Sequence, residues 1–239
     1  MDPRSAVVQN GQDTPVQDSK IHRRKFLLFS GTAVATALVG ASCTADLGDD
    51  MGSDPNAVNL GSGDTGVLNY AYALEQLEAA FYTKVMETPF SGITAMETEY
   101  LKDIRDHEIA HREFFKNALG SNAIQNLEVN FSNINFSSRD SVLATAKAFE
   151  DLGVSAYNGA GKLLTNPTYL LVAGKIVSVE ARHAAVIREL ISPDVGTAFA
   201  NAEAVNSQGL DLVRTPKQVL EIASAFLKTR LNANNLPTN

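Results

Sequence analysis

The chain carries a single cysteine, Cys43, in 239 residues. No intramolecular disulfide can form and no cysteine metal cluster is available, so stability must come from packing and from ligands other than thiolates. Basic residues are also few, with 20 Lys and Arg against 27 Asp and Glu and a net charge of −7. Removing residues 1–42 leaves 15 basic against 24 acidic residues, a balance that argues against nucleic acid as a partner. No apolar run is long enough to span a bilayer. The longest, Phe26 to Val39, has about 14 residues where roughly 20 are needed.

That run is flanked by the basic His22-Arg23-Arg24-Lys25 and by the small residues Gly40, Ala41 and Ser42, the layout of an export signal over residues 1–43. Arg23-Arg24-Lys25-Phe26-Leu27 resembles the twin-arginine signal of bacteria, which exports proteins already folded; the alternative is an ordinary basic signal peptide. Cys43 directly after Gly40-Ala41-Ser42 resembles a lipoprotein cleavage site, departing from it at Gly40, where leucine is usual. Lipidation there would be the only membrane attachment; otherwise Cys43 lies in a free tail. The expected location is the periplasm or cell envelope. Residues 44–66 are rich in Asp, Gly, Ser and Asn, and read as a flexible tether before a single domain over 67–239.

From Val67 on, apolar residues recur at helical spacing, which predicts an all-α fold with four long helices. The first runs from Val67 to Met86 and the second from Thr94 to Ala118. Residues 121–136 read as loop or extended chain, long enough to cross the bundle. The third helix begins near Asp140 and the fourth near Pro167. Thr215-Pro216 predicts the cap and first turn of a fifth, ending near Leu231.

The two helix pairs repeat the same chemistry. Glu75 precedes Tyr82 by seven residues, and Glu150 precedes Tyr157 by seven. The second helix of each pair carries Glu-x-x-His: Glu108 with His111, and Glu180 with His183. These carboxylates fall on the apolar stripes, where an ionised group without a partner is prohibitively costly. The same stripes offer few basic residues. Two divalent cations would balance four carboxylates and leave two neutral imidazoles to complete the coordination, and Glu and His three apart project from one helix face. Oxygen-rich ligands with one imidazole per ion favour iron or manganese and do not exclude zinc. Glu78 shares a face with Glu75 and is the alternative ligand, but its repeat counterpart is Gly153. His107-Glu108-x-x-His111 also matches the zinc-protease pattern, a reading that leaves the second Glu-x-x-His pair without a role. Tyr82 and Tyr157 are placed to donate to metal-bound carboxylates, or else are plain core aromatics. Glu97, Glu99, Glu113 and Glu189 read as solvated surface charge.

Leu74 to Tyr82, His107 to His111, Phe149 to Tyr157 and Val179 to His183 together resemble the bacterial ferritin-like family related to plant desiccation-associated proteins. The resemblance implies a ferritin-like four-helix bundle with one long crossover between helices two and three. It also implies a dinuclear iron or manganese centre of the rubrerythrin type, reacting with dioxygen or peroxide as a ferroxidase or peroxide-removing enzyme. A manganese catalase is the nearest enzymatic alternative. A metal-stabilised envelope protein of stress or desiccation, without turnover, is the alternative from another class. A homo-oligomer is compatible with the chain, but nothing in it specifies a storage shell.

Overall fold

The structure is a computed structural model and describes residues 54–238. The export signal, Cys43 and the first part of the expected tether lie outside the described residues. The helices are α1 (Gly63–Glu87), α2 (Ala95–Leu119), α3 (Arg139–Ala160), α4 (Pro167–Ile191) and the short α5 (Pro216–Ala223). Two short strands, β1 (Val58–Asn59) and β2 (Leu231–Asn232), pair in parallel. No described helix is long and apolar enough to cross a membrane.

Local signals account for where the helices start. Thr94 and Glu97 form a reciprocal capping box on α2, Ser138 caps α3, Asn166 caps α4 ahead of Pro167, and Thr215 with Gln218 caps α5. The short connections after α1 and α3 make α1/α2 and α3/α4 antiparallel hairpins. The 120–138 segment then crosses from one hairpin to the other, as the sequence predicts.

α1 is buried almost all round, because the crossover lies along the face that would otherwise meet water. Two buried amides on that face hold it. Asn69 donates to the carbonyls of Leu60 (3.0 Å) and Asn122 (2.9 Å) and accepts from the Ile124 N–H. Gln76 accepts from the Leu127 N–H at 2.8 Å. Further on, Phe131 and Phe136 pack on Phe81. The crossover thus follows α1 from Asn69 to Phe81, about 18 Å at 1.5 Å per residue. These amides satisfy backbone groups that would otherwise be buried without partners.

Three expectations need correction. The tether was expected to run to Gly66, but Leu60 is fully buried, Val58 and Leu60 hydrogen-bond to the carbonyls of Arg230 and Asn232, and α1 begins at Gly63. The fifth helix was expected to reach Leu231 and stops at Ala223. Beyond it Phe226 packs edge-on against Phe149, and residues 226–228 bond to Glu128 and Asn130 of the crossover, which a continuing helix would forbid. Glu97 is buried, not solvated: besides its cap, it pairs with Arg139 at 2.6 Å, and Arg139 also donates to the Leu190 carbonyl. One residue on α3 thereby ties down the start of α2 and the end of α4.

Candidate metal centre

Halfway along the bundle, each long helix sends a carboxylate inward: Glu75 from α1, Glu108 from α2, Glu150 from α3 and Glu180 from α4. All four are completely buried. His111 and His183, one turn beyond Glu108 and Glu180, face them. Ligand atoms of Glu75, Glu108, His111 and Glu180 lie within 4.8 Å of one another, and so do those of Glu108, Glu150, Glu180 and His183. Glu108 and Glu180 belong to both groups. The structure therefore brings together all six residues singled out as ligands.

The orientation of the atoms is as informative as their distances. His183 Nδ1 approaches Glu108 Oε1 to 2.8 Å and Glu150 Oε2 to 3.4 Å; His111 Nδ1 approaches Glu180 Oε1 to 3.0 Å and Glu75 Oε2 to 3.4 Å. Yet these atoms, with the second oxygens of Glu108 and Glu180, form no well-directed hydrogen bond. Buried polar atoms left so are rare in native proteins. Eight of them converging without partners fit groups aimed at common points between them, and the oxygen-and-imidazole donor set suits a divalent first-row metal.

Only the outer carboxylates have a partnered oxygen. The Tyr82 hydroxyl donates to Glu150 Oε1 and the Tyr157 hydroxyl to Glu75 Oε1. Each tyrosine thus serves the carboxylate of the other hairpin. Seven residues along its own helix is about 10 Å, too far for a contact. The two pairs advance in opposite directions, so α1 and α3 run antiparallel. Burial, reinforced by carboxylate charge, raises both phenols well above the ordinary tyrosine value, which keeps them protonated as donors.

With protons as the only cations, the cluster divides its charge. Burial, reinforced by neighbouring carboxylates, raises Glu180 and Glu78 well above the usual range. It raises Glu75 to about 7 and also raises Glu150, against the opposing imidazoles. Burial would raise Glu108 too, but His111 and His183 flank it and bring it down to about 2. Burial disfavours both imidazolium ions, yet the facing carboxylates outweigh it and raise His111 to about 12 and His183 to about 10. The one buried arginine among the described residues, Arg188, pairs with Asp151 at 2.5 Å and is not available to the cluster.

Glu75, and not Glu78, belongs to a ligand group. Glu78 is nevertheless buried beside it, a fifth carboxylate that the four-carboxylate charge balance omits. Its counterpart Gly153 makes room for it: a Cβ there would lie 3.0 Å from Glu78 Oε1 and 3.3 Å from Glu180 Oε2. His107 does not join His111 and Glu108 in a protease-like arrangement. Its Nδ1 lies 2.9 Å from Nε2 of His183, and the two rings are parallel within 8°, edge to edge. In the repeat the counterpart of His107 is Val179, so the contact has no equivalent in the other half.

No curated protein sequence matches the chain. The family model described as a ferritin-like domain matches residues 63–193, more than half the chain, from the start of α1 through both Glu-x-x-His motifs. An all-helical bundle with its crossover in place, a buried carboxylate and imidazole cluster at mid-bundle, and this match establish that the chain belongs to the ferritin-like domain family.

Proposed function

We propose that the protein is an exported ferritin-like protein that holds two iron or manganese ions and reacts with dioxygen or peroxide. The observation that carries the reading is the convergence of eight unpartnered ligand atoms into two groups sharing Glu108 and Glu180. Glu75 and His111 complete one position, and Glu150 and His183 the other. Bound there, the ions would supply redox chemistry toward a small oxidant. The chain's own residues do the rest: Tyr82 and Tyr157 orient the outer carboxylates, and the apolar core keeps bulk water away. An apolar groove lined by Val67, Ala71, Phe114, Ala160, Val172 and Ala173 also has Tyr157 on its wall. Export rests on the twin-arginine-like signal, and replacing Arg23 and Arg24 with Lys is expected to retain the protein in the cytoplasm.

Metal analysis of the chain purified without added metal tests the centre, beside a Glu108→Ala/Glu180→Ala double variant. About two ions per chain, lost in the variant, are expected. No bound metal and none taken up on reconstitution would overturn the reading. A fully loaded protein that neither consumes peroxide nor oxidises Fe²⁺ would overturn its redox half.

A further inference from the structure

The repeat is obeyed by every ligand and by both tyrosines, and broken by one imidazole. His107 on α2 reaches across to His183 on α4, its Nδ1 2.9 Å from Nε2 and the rings parallel within 8°. The reciprocal position, which would back His111, is Val179, whose side chain has no polar atom. Among the described residues no hydrogen bond forms to His111 in its place. His183 presents Nδ1 to Glu108 and Glu150, so an ion bound there needs the lone pair on Nδ1 and the proton on Nε2. His107 Nδ1 stands where that Nε2–H would donate, which leaves the His107 proton on its own Nε2. The contact fixes the His183 ring orientation and favours the proton on Nε2 once Nδ1 gives up its own to an ion, and His111 has no equivalent.

We infer that His107 is a positioning residue that makes the two ion positions unequal, with the one formed by Glu150 and His183 binding first and more tightly. The inference rests on the dinuclear reading above. Losing such a backing group typically weakens binding roughly 10- to 100-fold. The two affinities are expected to differ by about the same factor.

The full chain, stripped with a chelator, is titrated with Co²⁺ and followed by calorimetry and by visible absorption. Two separable steps are expected. His107→Ala should weaken the tighter step by roughly 10- to 100-fold, so that the two merge, and leave the chelator-treated protein's melting temperature unchanged. His107→Gln, whose amide oxygen can accept the Nε2–H, should restore most of the separation. Equal affinities in the wild type, an unchanged His107→Ala isotherm, or equal weakening of both steps would each overturn this inference while leaving the dinuclear centre standing. No Co²⁺ uptake by the wild type would overturn both.

Discussion

Gly159 on α3 sits under the chain that leads into α5, and replacing it with alanine sets two ordinary effects against each other. In a helix interior the change normally stabilises by about 1 kcal/mol, an upper limit for Gly159 as the second-to-last residue of α3. Here a Cβ would lie 1.8 Å from the Arg214 carbonyl oxygen, whereas ordinary contact begins near 3.4 Å. The segment would have to retreat by about 1.6 Å, since backbone on backbone cannot be relieved by a rotamer. That retreat breaks the 3.0 Å bond from the Arg214 N–H to the Ser155 carbonyl, the 2.7 Å bond from Arg214 to Ser155 Oγ and the 3.3 Å bond from Asn158 to the Leu212 carbonyl. At about 1 kcal/mol each, their loss exceeds the helical gain and leaves Gly159→Ala destabilised by about 2 kcal/mol. For a domain of this size the melting temperature should fall by about 4–8 °C. Gly174 on α4 has no atom near its missing Cβ, so Gly174→Ala is the control and should raise it by about 2–4 °C. Thermal unfolding of the two variants beside the wild type decides the matter. A rise for Gly159→Ala matching that of Gly174→Ala would refute the placement of residues 211–214 on α3.

Asn69→Ala removes three hydrogen bonds and strands crossover backbone in the core, so chemical denaturation should show a loss of about 2–4 kcal/mol. Glu97 is held below its ordinary value of 4.5 because its contacts with the Thr94 backbone and with Arg139 outweigh the opposing effect of burial. A depressed folded-state value gives stability that is present above the unfolded value and lost as pH falls through the folded one. Glu97→Gln should therefore be less stable than wild type by up to about 1 kcal/mol at pH 7, with the gap closing in acid-titrated melts as pH drops below 4.5. Tyr82→Phe should weaken the ion position of Glu150 and His183, and Tyr157→Phe that of Glu75 and His111, each by roughly 10- to 100-fold in a metal titration. Weakening of the position on the tyrosine's own helix instead would contradict the crossed pairing.

What the sequence made legible was local or periodic. Thr215 with Pro216 marks a helix start on its own, and the starts of α2, α4 and α5 fall within one residue of where the sequence pattern predicts them. The six clustered residues were legible because a carboxylate on an apolar stripe contradicts its surroundings, and the contradiction occurs four times in register. What stayed hidden depended on partners far away in the chain. Val58 and Leu60 look like strays in a polar tether until Leu231 and Asn232 arrive to pair with that segment. Glu97 looks solvated until Arg139 covers it, and Phe226 and Leu227 continue a helical stripe until the crossover claims their backbone. Asn69 and Gln76 left a weak trace, as amides seven apart on a helix otherwise apolar on that side.

The crossed tyrosines show why the repeat carries more than its ligands. An up-down pair duplicated and joined by a long crossover places α3 antiparallel to α1, so Tyr82, seven positions beyond Glu75, meets Glu150, and Tyr157, seven beyond Glu150, meets Glu75. A single Glu-x₆-Tyr pattern could be only a core aromatic, whereas two of them in antiparallel helices support each other. That symmetry also gives its exceptions meaning. Gly153 opposite Glu78 admits a fifth carboxylate on one side alone, and His107 without a counterpart backs one imidazole alone. Both departures fall beside the ligand groups, one on the α1/α3 side and one on the α2/α4 side. A strictly duplicated bundle would make two identical ion positions. On the dinuclear reading proposed above, this chain would retain the duplicated ligand set and differentiate the positions through the groups behind it, where a substitution alters affinity without removing a ligand.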